Sequence, residues 1–343
     1  MKYKVGMYGG SFDPLHLGHI HDIIRASSEC ETLYIMLSWS EKRDSVPKEL
    51  RYRWLLEVTK HLPNIKIMLV EDTAATKEEY NSDYYWENGA QDIKNLIGKP
   101  IDAVFCGDDY FQSGRFESLY PESKVIYYRR AEVPISSTEI RNNCTDYQWD
   151  YIPRVAQPYY VKKILIVGGE STGKSTLVRN LALAYNTTYV EEYGRFTCER
   201  AGGEDFMTED DLVENLLYQK THELEALQSA NKLLFIDTDA VTTKFYASLL
   251  LTGDTKCSKL ADAIASINKY DLILFLEPTV VFVQDGTRNE EIAANREKYS
   301  QQLKELFMQA DMEVHSITGD YKNRFNSAKN LIYKLFKIST NWR

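Results

Sequence analysis

The sequence predicts an α/β protein of two domains, each built on a mainly parallel β-sheet. Its 343 residues amount to about two domains of ordinary size. Short apolar runs alternate with amphipathic helical stretches, a pattern typical of parallel sheets. Near residues 3 and 161, such a run enters a pair of glycines and then a helical pattern. We expect domains at residues 1–150 and 151–343, joined by the aromatic, proline-containing segment Asp146–Tyr160.

The predicted strands are the short apolar runs between the helical stretches. In the first domain they are Tyr3–Tyr8, Thr32–Leu37, Lys66–Val70, Ala103–Cys106 and Lys124–Tyr128. In the second they are Val161–Val167, Leu233–Ile236, Leu272–Leu276 and Glu313–Ile317, with another short strand before Glu191. The first strand of each domain leads through glycines into a helix, predicted over His19–Ala26 and Lys174–Tyr185.

Composition narrows the class of protein. The chain has 41 basic and 50 acidic residues and a net charge of −9, and neither half is basic. This disfavours a primary role on nucleic acid or an anionic membrane. The five cysteines form no CxxC pair and no zinc-type cluster with histidine, so we expect reduced, structural thiols. Neither a long apolar run nor a signal-peptide core at the start is found, so a cytoplasmic enzyme without membrane insertion is expected.

A phosphate-binding loop opens the second domain. The stretch GGESTGKS matches GxxxxGKS between a β-branched strand and a helix, the context that the motif requires. Its backbone N–H groups would surround phosphates, its lysine would reach the β- and γ-phosphates, and its serine would bind Mg²⁺. The predicted ATP site comprises Gly168, Gly169, Glu170, Ser171, Thr172, Gly173, Lys174, Ser175 and Thr176.

Three further stretches carry charged residues suited to phosphoryl transfer. Asp237 and Asp239 end an apolar strand, where one of them could order Mg²⁺ or both could simply cap a helix. The stretch Glu191–Arg195 follows a short strand and could hold an acceptor. Arg288, in the sequence DGTR, and Arg296 are similar to lid arginines that close over a transferring phosphoryl group.

The first domain has two signatures of its own. GSFDPLHLGH places His16 and His19 on one side of the first turn of a helix. There they can donate hydrogen bonds to phosphate oxygens and to a leaving pyrophosphate. At the far end of the domain, ISSTEIR predicts a helix N-terminus capped by hydroxyls, whose N–H groups and Arg141 could hold a triphosphate.

These motifs together resemble a known family. GxFxPxHxGH with ISSTxxR is the signature pair of the nucleotidyltransferase superfamily. Followed by a phosphate-loop kinase carrying EEYGR, IDTD and DGxR, it resembles the bifunctional NadR-type nicotinamide-nucleotide adenylyltransferases and ribosylnicotinamide kinases over roughly residues 3–335. The resemblance implies a Rossmann-like HxGH nucleotidyltransferase domain before a P-loop kinase domain, with ATP as co-substrate and Mg²⁺ in both.

The implied reactions belong to NAD biosynthesis. The second domain would phosphorylate nicotinamide riboside with ATP, and the first would transfer the adenylyl group of a second ATP to the nicotinamide mononucleotide, giving NAD and pyrophosphate. Because ATP motifs do not identify the acceptor, nicotinate mononucleotide, pantetheine phosphate and other nucleosides stay open as acceptors. A regulatory nucleotide sensor without turnover is the alternative from another class.

Site residues of the first domain follow from the resemblance. Gly9, Gly10, Ser11 and Phe12 would contact the nucleotide, and His16, His19, Ser136, Ser137 and Arg141 would hold the ATP phosphates. Lys42 and Arg43 are candidates for phosphate contact. Gly107 and Asp108 lie at the carboxyl end of a strand, where α/β sheets bind ligands. Trp86 could stack on the nicotinamide ring or could belong to the core.

In the kinase domain the resemblance implies the following roles. Asp237 and Asp239 would bind metal or the acceptor hydroxyl, with Ser175 as a further metal ligand; Glu192, Tyr193 and Arg195 would contact substrate, and Arg288 and Arg296 would form the lid. The base could be Asp237, Asp239 or Glu192. Some relatives carry an N-terminal DNA-binding domain, whereas this sequence starts at the first adenylyltransferase strand, so we expect no DNA binding. A homo-oligomer stays open.

Overall fold

Two five-stranded parallel sheets organise the chain, which confirms the α/β fold class. The computed structural model describes residues 1–144, 147–253, 255–283, 291, 294–310 and 312–340. The chain divides into two compact units, Met1–Ala156 and Gln157–Arg343, called unit 1 and unit 2. Within the described ranges, no helix is both long enough and apolar enough to cross a membrane.

Unit 1 alternates strands with helices. Its strands are β1 (Tyr3–Gly10), β2 (Cys30–Trp39), β3 (Ile65–Glu71), β4 (Ala103–Gly107) and β5 (Lys124–Tyr128). They pair in parallel in the order β3-β2-β1-β4-β5. The helices are α1 (Leu17–Glu29), α2 (Lys48–Thr59), α3 (Lys77–Tyr80), α4 (Asp83–Ile97), α5 (Arg115–Leu119) and α6 (Ser137–Asn142). Short 3₁₀ turns cover Asp108–Ser113, Arg130–Glu132 and Tyr147–Tyr151.

The strand order of unit 1 fixes where a ligand can bind. Met7 of β1, Met36 of β2 and Val104 of β4 are buried and pack with Ala90 and Ile97 of α4. The chain builds outward from β1 to β2 and β3, then crosses to β4 on the other side of β1. Such a reversal leaves a crevice at the carboxyl ends of the two central strands, the usual ligand site of an open α/β sheet.

Unit 2 repeats this architecture. Its strands are β6 (Lys162–Val167), β7 (Tyr189–Val190), β8 (Leu233–Asp237), β9 (Leu272–Leu276) and β10 (Val314–Ile317), paired in parallel in the order β10-β9-β6-β8-β7. Its helices are α7 (Gln157–Tyr160), α8 (Lys174–Tyr185), α9 (Tyr193–Ala201), α10 (Glu209–Leu227), α11 (Ala240–Leu250), α12 (Lys256–Ile267), α13 (Arg296–Gln309) and α14 (Tyr321–Phe336). Glu204–Phe206 forms a 3₁₀ turn.

A buried arginine ties the phosphate loop to the sheet of unit 2. Arg324 of α14 is 1% exposed, and its guanidinium donates to the carbonyl oxygens of Thr172, Glu277 and Gly319. A buried guanidinium is tolerated only where its N–H groups are hydrogen-bonded. Arg324 therefore fixes the loop backbone against the segment that follows β9.

Candidate active sites

A cavity of about 400 Å³ opens at the carboxyl ends of β1, β2, β3 and β4 in unit 1. This is the edge of the sheet where the strand order reverses. Ten of the residues predicted from the sequence line it, namely Gly9, Gly10, Ser11, His16, His19, Trp86, Gly107, Ser136, Ser137 and Arg141. The cavity therefore collects side chains from both ends of the unit's sequence.

The two histidines form the N-terminus of α1. His16 is the N-cap: its Nδ1 accepts a hydrogen bond from the His19 N–H, and the His19 Nδ1 accepts one from the His16 N–H, both at 3.4 Å. Their rings stack with centroids 3.6 Å apart. Nε2 of His16 is buried and has no hydrogen-bond partner among the described residues. Because Nδ1 is the acceptor, a neutral His16 carries its proton on Nε2, which can donate to a bound oxyanion.

Burial keeps His16 neutral. Loss of solvent, together with the charge of Arg130, lowers the pKa of His16 to about 3, and burial also lowers the pKa of His19 well below its usual range. In the unfolded chain the His16 ring takes up a proton near pH 6.5, whereas in the folded protein it stays neutral down to about pH 3. Above pH 6.5 His16 is neutral in both states and has no effect on stability, whereas between pH 6.5 and pH 3 protonation of the unfolded chain lowers the free energy of unfolding by about 1.4 kcal/mol per pH unit.

We expect the His16 ring not to titrate between pH 8 and pH 5 in the ligand-free protein. The measurement is a pH series of NMR spectra of the ring carbons, with the His16 signal assigned from its loss in His16→Asn. A short histidine-containing peptide in the same samples is the internal control, because an unperturbed imidazole titrates near pH 6.5. A His16 signal that moves with a midpoint near pH 6.5 would contradict the burial argument.

The ISSTEIR segment packs against the HxGH loop. Ser136 is the N-cap of α6, and its side chain and that of Glu139 form the expected capping box. Ser137 Oγ donates to the Pro14 carbonyl oxygen at 2.9 Å, and Arg141 donates to the carbonyl oxygen of Asp13. The two signatures are more than 120 residues apart in sequence. The fold thus brings the N-termini of α1 and α6 to the same cavity.

Four predicted residues are absent from the cavity lining. Phe12 is fully buried, with its ring centroid 5.0 Å from that of His19. Arg43 donates to the carboxylate of Asp72 and to the Ala74 carbonyl oxygen. Lys42 is exposed, and Asp108 accepts a hydrogen bond from the Arg130 N–H at 3.1 Å. For Lys42 and Arg43, phosphate contact stays a prediction.

Trp86 stands in an aromatic wall of the cavity. Its ring lies 5.8 Å from the rings of Tyr110 and Phe116, and the Arg115 guanidinium lies over it at 4.9 Å. Indole Nε1 is buried without a hydrogen bond among the described residues. Whether the ring also stacks on nicotinamide stays a prediction.

Asp22 and Arg130 are among the cavity residues that were not anticipated from the sequence. Asp22 accepts a hydrogen bond from the Tyr8 hydroxyl at 3.3 Å, and burial raises the pKa of Asp22. Arg130 donates to the carboxylate of Asp109 at 2.7 Å. Local signals existed for both: Asp22 is three residues after His19 on the same helix face, and Arg130 follows the carboxyl end of β5.

A second cavity, of about 290 Å³, lies beside the phosphate loop of unit 2. Five predicted residues line it: Glu170, Ser171, Lys174, Glu192 and Arg195. Sequence reasoning did not identify Glu204, which follows α9, or Tyr246 of α11, which also line it. Their positions in the cavity depend on tertiary packing and no motif marks them.

The phosphate loop curls as the motif predicts. Gly168 and Gly173 have φ of +149° and +85°, a region that favours glycine. Lys174 Nζ donates to the Gly169 carbonyl oxygen at 3.2 Å, and Thr172 Oγ1 donates to the same oxygen at 2.8 Å. In the described residues no side chain caps the N-terminus of α8. Its first N–H groups can therefore donate hydrogen bonds to phosphate oxygens.

Adjacent glycines of this loop should respond differently to alanine. A Cβ at Gly168 would lie 2.6 Å from the Leu276 carbonyl oxygen, in addition to the unfavourable φ, whereas at Gly169 the nearest atom is 3.7 Å away. We expect Gly168→Ala to lower the free energy of unfolding by roughly 1–3 kcal/mol and to weaken ATP binding. Gly169→Ala is the matched control and should change stability much less. Thermal melting with and without ATP measures both, and equal losses would contradict this reading of the loop.

The two aspartates after β8 have different environments. Asp237 is 1% exposed, accepts a hydrogen bond from Thr238 Oγ1, and its Oδ2 has no hydrogen-bond partner in the part of the chain described. Burial and the charge of Glu192 raise the pKa of Asp237, while Lys174 opposes the rise. Asp239 caps α11 by accepting from the Thr242 N–H, its Oδ2 is likewise buried without a hydrogen bond among the described residues, and burial raises its pKa to about 7.

The remaining predicted kinase residues are placed as follows. Tyr193 does not line the cavity; its ring stacks on Tyr218 at 4.7 Å. Arg296, at the start of α13, donates to the carbonyl oxygens of Ser171 and Val280, so it reaches the phosphate loop. Arg288 lies outside the described residues. A substrate contact by Tyr193 and lid roles for the two arginines stay predictions.

Together, the two folds and their cavities define a two-domain transferase, in which a nucleotidyltransferase domain is followed by a P-loop kinase domain. Residues 7–143 match the cytidylyltransferase-like family, and residues 163–324 match an AAA domain family. The trifunctional NAD biosynthesis/regulator protein NadR of Escherichia coli (strain K12) is 30% identical, over 97% of this chain and 84% of that protein. The chain belongs to the NadR family.

Solved NadR structures share the fold over nearly the whole chain. A crystal structure of a NadR protein in complex with NR superposes with a TM-score of 0.81 at 25% identity, covering 99% of this chain and 98% of the other. A second, in complex with NAD and AMP-PNP, gives a TM-score of 0.77 at 25% identity, covering 98% and 97%. Both comparisons extend across the two units.

Proposed function

We propose that the chain makes NAD in two ATP-dependent steps. Unit 2 phosphorylates the 5′-hydroxyl of nicotinamide riboside, and unit 1 joins the resulting mononucleotide to the adenylyl group of a second ATP. The observation that carries this proposal is that two separate helix N-termini, those of α1 and α8, one in each unit, each open on a cavity. Membership of the NadR family and the ligands of the solved relatives support the choice of substrates.

In the kinase step the 5′-oxygen of the riboside attacks the γ-phosphorus of ATP, and ADP leaves. Lys174 and the N–H groups at the start of α8 hold the phosphates and stabilise charge on the leaving group. Glu192 lines the cavity, whereas the carboxylates of Asp237 and Asp239 are buried and do not line it. We therefore favour Glu192 as the group that accepts the hydroxyl proton.

In the adenylyl step a phosphate oxygen of the mononucleotide attacks the α-phosphorus of ATP, and pyrophosphate leaves. The attacking phosphate needs no base, because it is already ionised at neutral pH. The proton on Nε2 of His16, together with His19, Arg141 and the N-terminus of α6, can donate to the triphosphate oxygens. Positioning and charge stabilisation are sufficient, so no covalent enzyme intermediate is invoked.

Ser175 of the phosphate loop and Asp237 at the end of β8 suit one magnesium ion. Oδ2 of Asp237 is buried without a hydrogen bond among the described residues, and the hydroxyl of Ser175 opposes the rise in the pKa of Asp237. Where the chain is described, no group of three His, Cys, Asp or Glu side chains could hold a metal alone. Mg²⁺ uses few protein ligands and takes the rest from phosphates and water. Bound there, it would neutralise phosphate charge.

Acceptor identity is tested with a panel at fixed ATP and Mg²⁺. Nicotinamide riboside, other nucleosides, nicotinamide mononucleotide, nicotinate mononucleotide and pantetheine phosphate are compared by release of ADP and of pyrophosphate. We expect ADP with nicotinamide riboside and pyrophosphate with nicotinamide mononucleotide. Inactivity with both of these acceptors would contradict the proposal, and inactivity with every acceptor would favour a nucleotide sensor.

The proposal includes two further expectations, that the protein does not bind DNA and that it is located in the cytoplasm. The net charge of −9 disfavours DNA binding, and salt-resistant binding in a gel-shift assay would contradict this expectation. No disulfide joins the five cysteines, all of which lie in the described part of the chain, and this fits a reducing compartment such as the cytoplasm.

A further inference from the structure

Carboxylates dominate the charged lining of the kinase cavity. Among the described residues, four glutamates line it: Glu170, Glu192, Glu204 and Glu291. Lys174 and Arg195 are the basic residues in the same lining. Lys174 belongs to the phosphate loop, and the phosphates of ATP neutralise its positive charge once ATP binds. Within the described lining, the acceptor therefore meets an excess of negative charge.

The charges of three of these glutamates affect the same residue of the cavity, Tyr246. Tyr246 of α11 lines it, and burial together with the charges of Glu170, Glu192 and Glu204 raises the pKa of Tyr246 well above its usual range. The three carboxylates come from the phosphate loop, the start of α9 and the 3₁₀ turn after α9. Separate segments of unit 2 thus converge their charge on the same tyrosine hydroxyl.

We propose that this cavity selects acceptor nucleosides whose base carries a net positive charge, and that Glu204 is a specificity-determining residue for that charge. The inference rests on the proposed kinase function of unit 2. The glycosidic bond makes the ring nitrogen of nicotinamide riboside a permanent cation. Nicotinate riboside has the same ring and ribose but adds a carboxylate, so its base has no net charge. Carboxylates in a partly enclosed cavity attract the first base and repel the added carboxylate of the second.

Glu204 is the glutamate best suited to test this selection. Glu170 lies in the phosphate loop, Glu192 is the proposed base, and Glu291 accepts a hydrogen bond from the Tyr299 hydroxyl. Glu204 follows Gly202 and Gly203 in the connection between α9 and α10, outside the phosphate loop. Its replacement by glutamine keeps the size of the side chain and removes only the charge.

The experiment compares kcat/KM for nicotinamide riboside and nicotinate riboside at saturating ATP. We expect the wild-type protein to prefer nicotinamide riboside. In Glu204→Gln we expect the ratio of the two values to fall roughly tenfold, as for the loss of one partly screened charge pair. The value for nicotinate riboside should hold or rise, and KM for ATP should stay within about twofold. General damage to the cavity would instead lower both acceptors together.

Two further variants complete the test. Glu204→Asp should restore the preference, because it restores the charge. Glu199→Gln removes the same charge from an exposed position of α9 that does not line the cavity, and should leave the ratio unchanged. An unchanged ratio in Glu204→Gln, or an equal fall in Glu199→Gln, would overturn the role of Glu204. A wild-type protein that phosphorylates neither riboside would instead overturn the proposed kinase function, and this inference with it.

Discussion

Lys174→Ala is expected to abolish phosphorylation of nicotinamide riboside while leaving adenylyl transfer to nicotinamide mononucleotide nearly unchanged. The Lys174 side chain is 9% exposed, and its ammonium lies on the phosphate loop at 3.2 Å from the Gly169 carbonyl oxygen. Its removal leaves the γ-phosphoryl charge without its main protein cation. Loss of one such stabilising group costs roughly 10²–10³-fold in kcat. Release of ADP and of pyrophosphate, each with its own acceptor, measures the two steps separately.

Lys269→Ala is the control for Lys174→Ala. Lys269 is exposed and does not line the cavity, so removal of the same charge there should alter neither step. If Lys174→Ala lost adenylyl transfer as well, the two sites would not be independent. If it kept kinase activity, the phosphate loop of unit 2 would not be the site of phosphoryl transfer.

His19→Ala is expected to have the opposite effect, with adenylyl transfer reduced roughly 10²–10³-fold and kinase activity kept. Its imidazole stacks on that of His16 and accepts the His16 N–H, so the variant removes a phosphate donor and one half of the paired cap. Both effects are confined to unit 1. The same two assays of ADP and pyrophosphate release measure the change.

Two further histidine variants of unit 1 separate loss of function in His19→Ala from loss of stability. His61→Ala removes an exposed histidine of the same unit outside the cavity and should keep both activities. His19→Gln keeps a side-chain hydrogen-bonding group and should retain more of the fold than His19→Ala. A His19→Ala protein that melts like the wild type yet keeps full adenylyl transfer would contradict the role of the histidine pair.

Local patterns predicted the architecture well because they reflect backbone constraints. The helix Lys174–Tyr185 is observed with the predicted bounds, and its start is fixed by a glycine in the left-handed region at Gly173. The strand β2 extends beyond Thr32–Leu37 to Cys30–Trp39, because residues at both ends still pair with the neighbouring strands. The periodicity of apolar residues and the positions of glycines therefore identify helices and strands, but not the residues at which they end.

Side-chain partners across the fold could not be predicted from the sequence. Arg43 looked available for phosphate, yet it is bound to Asp72, 29 residues away, at the end of β3. Arg324 had no motif, yet it binds the carbonyl oxygen of Thr172 across 152 residues. Such pairings depend on which strand ends become neighbours, and sequence spacing does not encode this.

The most direct test of the two-step proposal is mass spectrometry of the products formed from isotope-labelled nicotinamide riboside with ATP and Mg²⁺. We expect labelled nicotinamide mononucleotide first and labelled NAD afterwards, with ADP and pyrophosphate released. Lys174→Ala should form neither product from the riboside, yet should form NAD from added mononucleotide. Recovery of unchanged riboside from the wild-type protein, with no labelled mononucleotide or NAD, would contradict the account.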